Sequence, residues 1–270
     1  MEKQFLLSNL YEEIEGKNII IYGTGYVGMR LYQSLSVKSD CNIIGFCESD
    51  PHNKFVKEIG LPLYSLENIK KINNHIVLVA VHDVYFKEIK DNLERYGINN
   101  YRYVYPLMIN FSCGDPIDIK SVNTIDVISR IVDYNIPIKV LAIEEHDGKN
   151  TVGFNMYLKL LSTYNSIETA KNRLYSCINN IEKIDKEGFD YNRYISLDEN
   201  YNVLDGAHRL AYAFERKVNR LNALIYPALE SYEKYAGNTF VGSEKKLKEL
   251  GFTSKEIQHI SEKYTALKLL

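Results

Sequence analysis

A short apolar run, Asn18-Ile-Ile-Ile-Tyr22, ends directly on Gly23-Thr24-Gly25-Tyr26-Val27-Gly28, and this junction restricts the fold more than any other feature of the chain. The run has the length and composition of a parallel strand buried on both faces. Beyond the glycines, Val27, Leu31 and Leu35 share one helical face, so the segment reads strand, glycine turn, helix. Each glycine has its own steric task. Gly23 permits a tight turn, Gly25 lets a phosphate approach the backbone, and Gly28 lets the helix pack closely on the strand. Free amides and the positive end of the helix dipole then face any anion placed there.

A second strand, Asn42 to Cys47, ends in Glu48-Ser49-Asp50, about one βα unit further on, where a carboxylate meets a ribose hydroxyl; Glu48 is the better candidate. His75 to Val81 reads as another apolar strand. Val84 to Tyr96 reads as a helix with Phe86, Ile89, Leu93 and Tyr96 on one face, stopped by Gly97. The pattern predicts a Rossmann-like parallel-sheet domain over residues 1–110. The runs Ile-Ile-Ile-Tyr-Gly-Thr-Gly-Tyr-Val-Gly, Ile-Ile-Gly-Phe-Cys-Glu-Ser-Asp-Pro and Leu-Pro-Leu-Tyr-Ser-Leu-Glu-Asn-Ile resemble the Rossmann-like accessory domains attached to bacterial surface-polysaccharide enzymes. That resemblance covers residues 17 to about 105 and implies a nucleotide or sugar-nucleotide context, in a domain that is often not itself catalytic; the glycine turn would accept NAD or a nucleotide sugar. No dehydrogenase pair accompanies the turn, since Tyr101-Arg-Tyr-Val-Tyr105 lacks the Tyr-x-x-x-Lys spacing. His82 and Asp83 fall at the carboxyl edge of the sheet, where they serve either a ligand or the helix cap.

Charge and cysteine usage narrow the function classes. Lys and Arg number 33 against 35 Asp and Glu, a formal charge of -2, and the balance holds on both sides of residue 110, with 12 basic and 13 acidic residues before it. Neither half offers the polyelectrolyte attraction that nucleic acid or an anionic membrane surface requires. No run of apolar residues is long enough to span a bilayer, and the first residues do not read as a signal peptide, so a cytoplasmic protein is expected. Cys41, Cys47, Cys113 and Cys177 are scattered without a CxxC pair, which speaks against a zinc site or a disulfide framework. Cys41 and Cys47 read as strand residues.

Residues 106–130, with Pro106, Gly114-Asp115-Pro116 and Ser121, read as a linker to a second domain over residues 131–270. Ile136-Pro-Ile-Lys-Val-Leu-Ala-Ile143 reads as a strand and His146-Asp147-Gly148 as a turn. Leu174, Cys177, Ile178 and Ile181 mark a helix, with Asn165 and Glu168 as its capping pair. Two short strands then flank Glu199-Asn200 as a hairpin. The second runs into Asp205-Gly206-Ala207-His208-Arg209, which opens a helix carrying Leu210, Ala211 and Phe214. This builds a second phosphate cradle. Amides of Gly206, Ala207, His208 and Arg209 attract phosphate, Arg209 adds bidentate hydrogen bonds, His208 donates, and Asp205 holds Mg²⁺ or accepts a proton. Structural roles compete: Asp205 as a cap, His208 as a satisfied histidine, Arg209 paired with Glu215.

The hairpin followed by Val-Leu-Asp-Gly-Ala-His-Arg-Leu-Ala resembles the ParB/sulfiredoxin superfamily over roughly residues 136–226, which implies an α+β domain whose loop binds nucleotide phosphates. Ala207 stands where a sulfiredoxin has its nucleophilic cysteine, and the segment after Tyr226 is too short for the DNA-binding and dimerisation parts of a chromosome-partition protein. The remaining resemblance is to ParB-like free amino-acid (serine) kinases, whose loop reads Asp-Gly-His-His-Arg. It implies loop roles for Asp205, His208 and Arg209, and a glutamate general base, for which Glu168 has the better spacing and Glu145 is the reserve. The chain departs from the kinases at Ala207 and in Lys183 to Asn192, which looks like an insertion.

The expectation is therefore an α/β protein in which a Rossmann-like domain precedes a ParB/sulfiredoxin-like kinase domain. With Mg²⁺, and ATP or ADP as donor, it would phosphorylate a hydroxyl of an amino acid or small alcohol, in a surface-polysaccharide context. An NAD-dependent oxidoreductase and a nucleotide-gated binding module without turnover are the alternatives. In the tail, Glu244 to Leu250 reads as a helix closed by Gly251. Thr253-Ser-Lys-Glu256 opens another, whose stripe of Ile257, Ile260, Tyr264 and Leu267 packs on the core or across a homodimer.

Overall fold

The computed structural model describes residues 5–38, 40–49 and 59–270; the side chains of Asp83, Val84 and Asn238 lie outside that description, as does Asp50. The chain divides into two compact units, Met1–Asp115 and Pro116–Leu270. Among the described residues no helix is long and apolar enough to cross a membrane.

The first unit is built on a parallel sheet. Helix α1 (Leu7–Ile14) leads into β1 (Asn18–Tyr22), α2 (Tyr26–Ser36), β2 (Asn42–Cys47), β3 (Leu63–Tyr64), α3 (Leu66–Ile69), β4 (His75–Val79), α4 (Asp83–Arg95) and β5 (Tyr101–Tyr103). The strands lie in the order β3-β2-β1-β4-β5, all parallel. Strand alternation divides β1 between two cores. Ile19 and Ile21 pack with Leu10, Leu31, Leu35 and Leu78, whereas Ile20 and Tyr22 pack with Val77, Val79, Ile89 and Leu93. Helices α2 and α4 thus cover opposite faces, which is why β1 is apolar at every internal position and why the crevice between the carboxyl ends of β1 and β4 is a topological switch point. Cys41 precedes β2 rather than joining it. Cys47 is fully buried, and burial pushes its thiol up to about 12, far from the range of a reactive thiolate.

The residues expected to be a linker are folded. Helix α5 (Asn110–Cys113) belongs to the first unit, where Asp115 Oδ1 accepts from the Leu7 amide at 2.8 Å and from Asn110 Nδ2 at 2.9 Å. Strand β6 (Asp118–Asn123) and helix α6 (Thr124–Ile128) open the second unit, so it begins before residue 131. Asp-Ile-Lys-Ser-Val-Asn has no apolar run because β6 is an edge strand, mostly exposed, pairing among the described residues only with β9 (Arg220–Tyr226). Pro106 and the Gly114-Asp115-Pro116 turn punctuate short elements rather than a loose connection.

The second sheet has the order β6-β9-β7-β8, with β7 (Ile195–Asp198) parallel to β9 and antiparallel to β8 (Val203–Asp205). Residues 136–143, read as a strand, belong instead to helix α7 (Asn135–His146). Every residue from Asn135 to Ile143 is buried. Val140 and Ile143 face a core shared with Ile195, Leu197, Leu210 and Ala223; Ile138, Leu141 and Ala142 face another with Met156, Leu160 and Ile260. A helix buried on all sides has no polar stripe to betray its period, so its sequence imitates a central strand. Pro137 sits in its first turn, where no intrahelical bond from its nitrogen is needed.

Helices α8 (Gly153–Ser162), α9 (Ile167–Glu187) and α10 (Ala207–Glu215) surround α7, and α11 (Tyr232–Ala236), α12 (Glu244–Glu249) and α13 (Ser254–Lys268) complete the chain. The stretch read as an insertion is partly the end of α9, which runs to Glu187. Helix α13 starts with the expected capping box, Thr253 Oγ1 accepting from the Glu256 amide and Glu256 Oε2 from the Thr253 amide. Its stripe packs within its own unit, Ile260 in one core and Leu267 in the other.

Candidate functional site

The loop at Asp205 is shaped by one backbone demand. Strand β8 must turn into α10 within a single residue, and Gly206 does so in the left-handed region, at φ 90° and ψ 18°. A Cβ there would stand 2.7 Å from Ile195 Cγ2, so strand β7 leaves no room for a side chain. Glycine at the N-cap has no side chain to cap α10, and the amides of its first turn have no intrahelical acceptor. Leu210, Ala211 and Ala213 bury the opposite face and hold the turn against the sheet.

Each polar side chain of the loop is held in place. Asp205, exposed, accepts the Gly206 amide on Oδ1 at 2.7 Å. Arg209 does not pair with Glu215. Its Nη1 donates to the carbonyls of Asp190 at 2.6 Å and Arg193 at 3.4 Å, with the guanidinium 5.0 Å over the Phe189 ring, while Glu215 takes Lys149 at 2.7 Å. Arg209 thereby ties down the connection between α9 and β7. His208 is exposed, yet its Nε2 is hydrogen-bonded to the hydroxyl of Tyr157, a residue of α8 that is only 2% exposed. Burial raises the Tyr157 phenol well above the ordinary tyrosine range.

The two glutamates weighed as general bases lie in different surroundings. Glu145 is a capping group, its Oε2 accepting from the Phe154 amide in the first turn of α8. Glu168 stands exposed in the first turn of α9, and no hydrogen bond or ion pair among the described residues joins it to the loop. The Asn165 and Glu168 capping pair is not formed. Ser166 is the cap, accepting the Thr169 amide at 3.2 Å, because Thr169 rather than Glu168 is the third residue of the helix; Asn165 instead donates to the Leu161 carbonyl at 2.8 Å. Among the described residues no group of three or more His, Cys, Asp or Glu side chains is arranged to hold a metal ion.

Tyr157 is the member of this constellation that sequence reasoning passed over. Its helix is legible in retrospect, as Gly153 is followed by Met156, Tyr157, Leu160 and Leu161 at helical spacing, all buried. Gly153 lets α8 lie against α7, since a Cβ there would meet the Leu141 carbonyl oxygen at 2.0 Å. Asn150 completes the joint, accepting the amides of Val152 and Gly153 and donating to Leu141 O at 2.9 Å.

In the first unit the glycine turn has the expected geometry. Gly23 takes a positive φ of 108° and donates to Cys47 O at 3.0 Å. A Cβ on Gly28 would lie 1.8 Å from Gly23 O, whereas one on Gly25 would meet nothing within 4 Å. Glu48, at the end of β2, accepts a hydrogen bond from the buried Thr24 hydroxyl of the same turn, and Tyr22 and Ser49 share another. His82 is the N-cap residue of α4 without a side-chain capping bond, its ring 4.8 Å from that of Tyr105; the side chain of Asp83 lies outside the described residues.

A family model described as C2185-like, N-terminal, matches residues 15–104, within the first unit. None of the curated proteins or solved structures compared with the chain matches it.

Proposed function

We propose that the second unit is a ParB/sulfiredoxin-like nucleotide-dependent kinase that phosphorylates a hydroxyl of an amino acid or small alcohol, and that the first is a Rossmann-like nucleotide or nucleotide-sugar domain. The observation that carries the reading is the junction at Gly206, where the first-turn amides of α10, Asp205 and His208 converge at the end of one strand. Phosphoryl transfer asks mainly for positioning and charge neutralisation. The amides of Ala207, His208 and Arg209 and the α10 dipole would receive phosphate oxygens, and His208 would add a side-chain donor. Arg209 contributes by holding the 189–193 connection beside the loop. A single exposed carboxylate fits a Mg²⁺ carried chiefly by nucleotide phosphates, with Asp205 as its protein ligand; the ion would supply charge neutralisation. Asp205 or Glu168 would accept the hydroxyl proton, Glu145 being engaged at α8.

The geometry around Gly25 supports a second reading, in which the first unit binds a dinucleotide and the protein is an NAD-dependent oxidoreductase. Phosphorus NMR separates the two. With Mg²⁺, ATP, ADP or CTP, and pooled amino acids and small polyols, a new phosphomonoester is expected, and Asp205→Asn is expected to abolish it. If no phosphate moves from any donor with folded protein, the kinase reading fails and the dinucleotide and binding-module readings replace it.

A further inference from the structure

The Tyr157 hydroxyl is buried, and its one hydrogen-bond partner among the described residues is His208 Nε2. A phenol in such a place must place its proton on an acceptor, because a buried O–H left without one loses its full desolvation energy. Burial keeps that proton on the oxygen by raising the phenol above its ordinary range. The ring itself is restrained on several sides. Lys139 of α7, a buried residue, lies 5.8 Å from its centroid, and His208 meets it edge to face at 5.6 Å. Cys177 of α9, its thiol pushed up to about 11 by burial, borders the same site.

We propose that Tyr157 is a positioning residue that holds His208 in a single neutral tautomer: the phenolic O–H donates to Nε2, so the ring's one proton resides on Nδ1. A neutral imidazole has one donor and one acceptor nitrogen, and which is which follows from the bond the other makes. An imidazolium would have donors on both nitrogens and would leave the Tyr157 proton without its acceptor. His208 is therefore an oriented neutral imidazole whose donor nitrogen is Nδ1, rather than a cation. The inference rests on the kinase reading only for the effect on phosphoryl transfer.

The test is nitrogen NMR on the full chain labelled with ¹⁵N-histidine, the His208 signals being assigned with His208→Gln. Without any nucleotide, Nε2 is expected at the shift of a bare ring nitrogen and Nδ1 at that of a protonated one. In Tyr157→Phe, which keeps the ring and removes the hydroxyl, the two shifts are expected to move toward each other as the tautomers exchange. A protonated Nε2 in the unmodified chain overturns the proposal, and that spectrum decides alone should Tyr157→Phe not fold. Unchanged His208 shifts in a folded Tyr157→Phe overturn it equally. Since no nucleotide is present, failure of phosphoryl transfer leaves this result untouched. Where transfer is detected, Tyr157→Phe is expected to lower kcat by about ten- to a hundredfold, and an unchanged kcat removes the positioning role.

Discussion

Two strand-to-helix junctions in this chain use glycine to different ends. In the first unit, between β1 and α2, steric closeness of backbone does the shaping: Gly28 lies so near Gly23 that a methyl group would overlap its carbonyl oxygen. The first turn of α2 carries no acidic residue, and Tyr26 at its start is 80% exposed. In the second unit, between β8 and α10, one left-handed glycine makes the turn and the neighbouring side chains are each anchored, Arg209 to two carbonyls and His208 to Tyr157. The first arrangement leaves open space at Gly25, while the second fixes side chains. A cradle made of backbone suits binding, whereas oriented side chains suit chemistry, which is why the proposed kinase activity is assigned to the second unit.

The comparison can be broken by substituting the glycines in turn. Gly28→Ala should have the largest effect, destabilising the first unit by about 3 kcal/mol or more, because both the helix and the carbonyl it meets are held by the sheet. Urea denaturation followed by far-ultraviolet circular dichroism measures it, and a small loss would mean that α2 can slide. Gly206→Ala should cost about 1–3 kcal/mol, from the positive φ and the contact with Ile195 together, and should also lower any phosphate affinity of the loop. Heat denaturation and a nucleotide titration report the two effects separately.

Acid should act on the second unit more than a sheet held by apolar packing alone would suggest. Arg216, at the end of α10, donates to Asp147 at 2.6 and 2.8 Å and to Asp185 at 2.8 and 2.9 Å, clamping the ends of α7, α9 and α10. The guanidinium holds both carboxyls below the ordinary aspartate range. Groups depressed in the folded state contribute stability that is complete above the unfolded value of about 4 and is lost as pH falls through it and below. Urea midpoints measured from pH 6 downward should therefore fall less steeply in Arg216→Gln than in the unmodified chain; parallel slopes would show that the clamp contributes nothing. The smallest stability effect should be that of Gly25→Ala, less than about 0.5 kcal/mol, since its φ of -76° and open surroundings admit a methyl group. The same substitution should weaken any nucleotide titration of the first unit, and an unweakened one would remove Gly25 from the cradle.

Features carried by neighbouring residues were legible in the sequence. The Gly23 to Gly28 turn, the hairpin over Ile195 to Asp205, the glycine opening of α10 and the Thr253 capping box all depend on local steric or hydrogen-bonding rules, and all are present. Burial on all sides and a sheet edge each erase the usual sequence signal. Helix α7 lost its period because it is enclosed by two cores, and β6 had no apolar run because it is an edge strand. Asn165 and Ser166 are both good capping residues, and α9 begins on the second of them, so Glu168 makes no capping bond.

By itself the sequence determined where the chain must turn, which residues cap its helices and which polar groups crowd the Asp205 loop, because these follow from chemistry within a few bonds. Only the tertiary structure decided what those groups face. Tyr157 reaches His208 across 51 positions, Arg209 closes on carbonyls of a distant connection, and Glu145 is occupied at the start of α8. Such pairings are decided by how whole helices pack, and the close approach of α8 to α7 at Gly153 is a property of two surfaces that no single stretch of residues contains.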